Sequence, residues 1–274
     1  MKKFTVTTDC NLKEFTDFTF PQGAFCLTQL LKQKDIKVNG TRVSSNVALK
    51  NGDEVIFYTT PKQEQKESHY TVFEDQNVYI ADKLSGVTSE GLFSELCARG
   101  EFFAVHRLDR NTQGLLIFAK NKTAEEQLLK AFKDRTVSKT YLALCKNNFK
   151  KDSATLTAYL KKDEKASTVK IFDTEKSGSA KIITEYKVLR RMNDIALVQI
   201  TLHTGKTHQI RAHTAFIGCP VLGDEKYGDN ALNKKYSVKR QCLVAKFLQF
   251  NLDGELSYLN GKTFESRFTP QTRN

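Results

Sequence analysis

His106-Arg107-Leu108-Asp109-Arg110 sets one carboxylate between two guanidinium groups. Positive neighbours favour the charged form of an acid. That setting suits a structural ion pair, or a nucleophile that must not pick up a proton. Surface ion pairs far outnumber catalytic carboxylates, so these residues alone leave both readings open. His106, His203, His208 and His213 raise the question of a metal. His208 and His213 stand five apart, not at the four-residue step that puts two ligands on one helix face, and no Cys lies near them in sequence. No metal is expected. Gly-rich phosphate loops are absent, so no nucleotide cofactor is expected either. The acidic pairs Glu125-Glu126 and Asp163-Glu164 lie among lysines and read as solvated faces.

The elements around the loop follow from apolar spacing. Phe102 to Val105 and Leu115 to Phe118 are strand-like runs that bracket the polar stretch from His106 to Gly114, the setting in which functional loops are usually held. Thr123-Ala124-Glu125-Glu126 has the form of a capping box ahead of Leu128, Leu129 and Phe132, which predicts a helix over 124–134. Strands are expected at Tyr141 to Leu144. A hairpin is expected from Ile182 to Leu189 and Ile195 to Leu202 around Arg191-Met192-Asn193-Asp194, and a helix from Thr207 to Phe216. Upstream, Tyr70 to Ala81 reads as two strands with a polar turn. Residues 24–58 read as a separate unit: a helix carrying Leu27, Leu30 and Leu31 on one face, a hairpin around Asn39-Gly40, and a turn at Asn51-Gly52-Asp53 into Glu54 to Tyr58. Between the two parts, residues 61–69 are polar and aperiodic, as in a linker. Strands dominate without regular strand–helix alternation, so the expected fold class is α+β, mixed and mainly antiparallel.

Composition narrows the class of protein. With 274 residues, 39% of them hydrophobic, 14 Gly and 4 Pro, the chain can build a sizeable core and shows no fibrous or solenoid period. Its apolar runs stop far short of the roughly 18 residues of a spanning helix, and its first residues lack the apolar stretch of a secretory signal. The six cysteines, at 10, 26, 97, 145, 219 and 242, form no CxxC pair and read as reduced thiols of a cytoplasmic protein. A formal charge of +12 points to an anionic partner, most simply nucleic acid. The excess is uneven: residues 1–60 hold 8 basic and 6 acidic side chains, whereas residues 120–191 hold 18 and 9.

Four separated blocks carry a resemblance. His106-Arg107-Leu108-Asp109 with Thr112, Gly114, Leu115 and Leu116; Lys139-Thr140-Tyr141-Leu142-Ala143-Leu144; Thr204 to His213; and Gly223-Asp224-Glu225-Lys226-Tyr227-Gly228 resemble, in that order, the RluA-type pseudouridine synthases over roughly residues 68–250. Departures are Gln113 where Ser is frequent, Lys206 where Arg is, and Val244 in place of His in a Leu-His-Ala block. The resemblance implies an enzyme that isomerises uridine to pseudouridine in structured RNA with neither metal nor nucleotide cofactor. Asp109 is then the catalytic carboxylate, Tyr141 stacks on the target base, and Arg211 holds Asp109 by a two-pronged pair. Arg107 fills the gap left by the extruded nucleotide. His106, Lys139, Lys206, His208 and Gln209, with Arg110 and Thr112, complete the expected RNA-contacting set.

The N-terminal unit resembles an S4-type RNA-binding domain in its second half. The implied organisation is an S4-like domain over 1–60, a linker over 61–69 and a catalytic domain over 70–274. Large-subunit ribosomal RNA is the first expected substrate, with transfer RNA as the alternative. A non-catalytic RNA-binding or ribosome-assembly protein on the same fold is the reading from another class. A cytoplasmic monomer that contacts no membrane is expected.

Overall fold

Asn39 and Gly40 both take positive φ, 47° and 80°, which two central residues of a hairpin turn require, and they close the hairpin the sequence predicts. The computed structural model describes residues 1–163 and 167–272, so Glu164 of the expected acidic face, and the last residues of the expected catalytic domain, lie outside it. The N-terminal part runs β1 (Lys2–Thr5), β2 (Cys10–Asn11), α1 (Leu12–Thr19), α2 (Pro21–Gln33), β3 (Ile36–Val38), β4 (Thr41–Arg42), β5 (Ala48–Leu49), β6 (Glu54–Phe57) and α3 (Pro61–Glu64). Its sheet has the order β1-β6-β3-β4, and β2 pairs with β5. The two helices cover the sheet with Leu12, Phe15, Phe20, Leu27 and Leu30 against Ile36, Val55 and Phe57, a core of its own.

Two sequence expectations change here. The unit begins well before residue 24, because α1 is capped by Asn11, whose side chain accepts from the Glu14 N–H while Glu14 reaches back to the Asn11 N–H. The stretch expected as an aperiodic linker opens with a short helix. Thr60 and Gln63 form a second capping box that starts α3, and Lys66 lies 4.2 Å from the ring centre of Phe25 on α2.

The second part runs β7 (His69–Glu74), β8 (Val78–Lys83), α4 (Ser89–Cys97), β9 (Phe103–Ala104), β10 (Gln113–Ala119), α5 (Lys122–Asp134), β11 (Val137–Lys146), β12 (Ser153–Asp163), β13 (Thr168–Phe172), β14 (Ala180–Met192), β15 (Ile195–Leu202), α6 (Gln209–Phe216), α7 (Asn230–Lys235), β16 (Leu243–Phe250), a 3₁₀ turn (Gly254–Leu259) and β17 (Thr263–Glu265). Among the described residues these strands form one eleven-stranded sheet, ordered β13-β12-β14-β15-β11-β16-β10-β8-β7, with β17 on β16 and β9 on β10. The β10–β16 pair is parallel, and the other pairs of the sheet are antiparallel. The fold is thus mixed α+β and mainly antiparallel.

Side chains alternate across the sheet. Leu116 and Phe118 of β10 face one core with Leu92 and Leu96 of α4 and Ile210 of α6. Leu115 and Ile117 face the other, with Leu128 and Ala131 of α5. α5 starts earlier than its capping-box pattern suggests. Asn121, not Thr123, is the cap, its side chain accepting from the Ala124 N–H at 2.8 Å. At the other helix expected near the site, Thr207 and His208 lie outside: α6 begins at Gln209, and His208 sits before it at φ 55°. No helix among the described residues is long and apolar enough to cross a membrane.

Candidate active site

The His106–Thr112 loop is pinned from below, main chain first. The Leu108 N–H donates to Ser89 Oγ at 2.9 Å, and that hydroxyl donates to the Leu108 carbonyl at the same distance. The Arg110 carbonyl accepts from the Gly86 N–H at 2.9 Å and from Lys83 Nζ at 3.2 Å. Lys83 has no exposed surface, donates also to the Val87 and Leu84 carbonyls, and is pushed by burial down to about 7, with the Asp109 charge pulling the other way. At the far end, Thr112 Oγ1 accepts from Gln241 Nε2 at 2.6 Å.

The loop presents Asp109 to Arg211, which α6 delivers from about a hundred residues away: Arg211 Nη1 lies 2.9 Å from Asp109 Oδ2. The expected two-pronged pair falls elsewhere. Arg211 Nε and Nη2 donate to the two oxygens of Asp224 at 2.7 and 2.9 Å, the parallel geometry a guanidinium fork favours. Nη1 alone remains for Asp109. Asp224 is buried and also accepts from the Lys226 and Tyr227 N–H groups, and its carboxyl is held low although burial opposes the charge. Burial also opposes the Arg211 charge, but Asp224 and then Asp109 more than offset it, so the guanidinium is pushed up. Asp224 therefore fixes Arg211 and leaves Asp109 held by one oxygen. Asp109 Oδ1 has no partner among the described residues, and the side chain keeps 21% of its exposure, on a cleft of about 360 Å³. That volume is within the roughly 300–1,000 Å³ range of small-ligand sites.

The cleft walls come from several elements. Tyr141 of β11 is 7% exposed and lines it, placed where the β11–β16 register shifts between Thr140 and Tyr141. Burial, and then the Asp109 charge, raises its hydroxyl, so it stands as a neutral phenol. His106 stacks on Phe132 at 4.5 Å and accepts from the Ile117 N–H at 3.1 Å through Nε2. Burial, with Lys139 nearby, pushes the imidazole down to about 3, which makes it a neutral wall. Lys139, lowered by burial, lies 5.1 Å from the Phe132 ring centre.

His208 Nδ1 lies 2.9 Å from the Tyr227 hydroxyl, which accepts from the Val169 N–H at 2.8 Å; the Tyr227 ring in turn lies 5.3 Å from the Arg211 guanidinium. Lys206 lines the cleft, its side chain without a partner among the described residues. Gln209 is 2% exposed, and its amide is engaged by Ile183, Thr184, Thr204 and the Lys206 N–H, so it shapes the 204–208 loop from behind. Arg107 is 67% exposed at the rim and pairs with Glu90 at 3.1 Å. Arg110 turns away from the cleft to Asp17 of α1 and the Gly86 carbonyl.

The structure thus brings Asp109, Tyr141 and Arg211 together and adds Asp224, Tyr227 and Lys83, which the sequence left without a role. Asp224 and Tyr227 stand in a quoted block, and Lys83 shows as a charge closing the apolar run Val78–Ala81. What results is a fixed carboxylate with one open oxygen, beside an aromatic wall and a cationic rim. Such a site can hold a planar base against Tyr141 and bring the carboxylate to its sugar or ring carbon.

A model of the RNA pseudouridylate synthase family matches residues 65–216. The "Ribosomal large subunit pseudouridine synthase C" of Rickettsia conorii is 32% identical over 75% of this chain and 78% of its own. The "Uncharacterized RNA pseudouridine synthase YlyB" of Bacillus subtilis is 32% identical over 81% and 79%. The solved structure of "Human RNA Pseudouridylate Synthase Domain Containing 1" superposes with a TM-score of 0.61 at 26% identity, over 74% of this chain and 90% of that one. The chain belongs to the RNA pseudouridylate synthase family, enzymes that isomerise uridine in RNA to pseudouridine.

Proposed function

We infer that this chain is a ribosomal RNA pseudouridine synthase in which Asp109 is the catalytic carboxylate, Tyr141 the stacking wall and Arg211 the group that orients the acid. The large-subunit substrate is supported by relatives bearing that name, including those of Rickettsia conorii and Vibrio cholerae. The observation that carries the assignment is the Asp224–Arg211–Asp109 chain, which fixes one oxygen of Asp109 and leaves the other open to the cleft. The reaction breaks the bond from ribose C1′ to uracil N1, forms one from C1′ to C5, and moves the C5 proton to N1. Attack at C1′, attack at C6 and removal of a ribose proton all start from that open oxygen. Nothing is oxidised or hydrolysed overall, so the reading needs no metal or nucleotide cofactor.

The target uridine must leave its stack at a cost of a few kcal/mol. Stacking on Tyr141, of order 1–3 kcal/mol, offsets part of it. Lys139 and Lys206 supply charge for the flanking phosphates, and Arg107 at the rim is placed to enter the vacated space. Residues 1–60 are read as an S4-like RNA-binding domain, supported by the pair of helices packed on the hairpin sheet. The enzyme is read as a cytoplasmic monomer. Asp109→Asn keeps the shape of the site and removes its charge. It is expected to abolish pseudouridine formation in ribosomal RNA while RNA affinity stays within about threefold, below 1 kcal/mol. Product formed at the native rate would remove Asp109 from the chemistry.

A further inference from the structure

The residue after Asp109 ties the catalytic loop to the N-terminal unit. Arg110 Nη1 lies 2.6 Å from Asp17 Oδ2, on the last turns of α1. The carbonyl of the same Asp17 accepts from Thr88 Oγ1 at 2.8 Å, and Thr88 is the cap of α4, its hydroxyl also accepting from the Gly91 N–H at 2.9 Å. Gly91 is what lets the two helices meet, since a Cβ there would stand 2.2 Å from the Asp17 carbonyl oxygen. Nearby, Gln22 reaches Glu95 at 3.4 Å and Phe25 packs against the core of the large sheet. The N-terminal unit is thus seated on α4 and on the loop, not merely tethered through residue 60.

The energetics of the contact are informative. The Asp17 side chain is only 13% exposed, and its Oδ1 is buried without a partner. Burying a carboxylate with half its hydrogen-bonding capacity unmet is costly, and replacing such a pair with apolar residues is often neutral or stabilising. A costly pair placed one residue from the reactive acid therefore points to specificity of geometry. The loop is held at both levels at this residue, and Asp17 supplies the side-chain part. The Arg110 main chain is held by Gly86 and Lys83, and its side chain by Gly86 and Asp17. With Arg110 drawn toward α1, Arg211 is the guanidinium left on Asp109 among the described residues.

We propose that Asp17 is a positioning residue for the isomerisation: through Arg110, the N-terminal unit holds the catalytic loop in the register that meets Arg211, and so forms a working part of the active site. The proposal rests on Asp109 being the catalytic acid.

The test uses the full-length chain with Asp17→Asn, Arg110→Ala and the double variant. Single-turnover rates at saturating ribosomal RNA and RNA affinities are measured separately, and folding is checked by thermal unfolding. Each single variant is expected to lose about ten- to a hundredfold in rate, the scale of a misplaced reacting group, with affinity nearly unchanged. The double variant is expected to be no slower than the slower single, because both remove one interaction. A folded Asp17→Asn at the native rate, a loss confined to affinity, or additive losses would each overturn the proposal. Should Asp17→Asn fail to fold, Arg110→Ala carries the same decision. Asp109→Asn on the same RNA separates the two readings. If it is active, the site assignment fails; if it is inactive while Asp17→Asn is native, only the positioning role falls.

Discussion

Arg211 is the residue on which the site turns, because its fork is committed to Asp224 and only its third nitrogen reaches Asp109. Asp224→Ala would leave a buried guanidinium with one shared partner and free to rotate. Breaking such a pair costs about 3–5 kcal/mol. Urea unfolding should register that loss, and the single-turnover rate should fall well before the chain unfolds. A second residue-scale consequence concerns acid. Gln209 Nε2 donates to Thr184 Oγ1, which lies 3.0 Å from His213 Nδ1, and His213 is 1% exposed. Burial holds this imidazole down to about 4 from 6.5. Between those values the unfolded chain binds a proton that the folded chain refuses, so the stability present above pH 6.5 is lost as pH falls toward 4. The loss from this group is roughly 1–2 kcal/mol by pH 5. Unfolding midpoints from pH 7 to 4.5 check the sign, and His213→Gln should flatten the curve. Equal slopes for the variant and the native chain would exclude His213 as a source.

At the scale of elements, the parallel seam between β10 and β16 sets where the loop and Tyr141 meet. Gly114 holds φ 109° there, and a Cβ would stand 2.3 Å from the Ala245 carbonyl oxygen, itself opposite Tyr141 across β11. Gly114→Ala combines backbone strain with overpacking. It should cost on the order of 2–5 kcal/mol and slow catalysis by shifting Tyr141, as read by thermal unfolding and single-turnover rates. Nothing local in the sequence announces this seam, because its partners are some 130 residues apart. What local pattern does announce came through: the β14–β15 hairpin turns at Asn193 with φ 46°, α2 presents Leu27 and Leu30, and the polar loop lies between β9 and β10. At the start of α5 the Thr123-Ala124-Glu125-Glu126 pattern pointed two residues too late, and Asn121 supplies the cap instead. The loop, Tyr141 and Arg211 were legible because they sit in recognisable blocks. The partners that orient them were not. Asp224 was quoted without a role, and Asp17 lies in a helix whose short, Thr-rich run hides its apolar face.

For the molecule as a whole, the surplus charge of residues 120–191 has a place to act. Five cations of that segment are neutralised locally: Lys120 by Glu74, Lys122 by Glu125, Lys146 by Asp229, Lys170 by Asp163 and Arg191 by Asp152. Lys133, Arg135 and Lys181 form no ion pair among the described residues, and with Lys139 and Lys206 they line a groove of about 590 Å³ without an acidic side chain in its wall. The groove shares Phe132, Lys139, Leu202, Gly205 and Lys206 with the active-site cleft, so a strand leaving the cleft would lay its phosphates along it. Phosphate contacts govern affinity through released counterions. For single strands the slope of log affinity against log salt changes by about 0.7 per contact. Replacing Lys133, Arg135 and Lys181 together by Ala should therefore flatten that slope by roughly 2 and weaken binding most at low salt. The single-turnover rate at saturating RNA should stay near native, because none of the three lines the cleft. Binding isotherms from low to moderate salt make the measurement. An unchanged slope would mean that the RNA crosses another face, and a lowered saturating rate would mean that these cations act on the chemistry as well as on the strand.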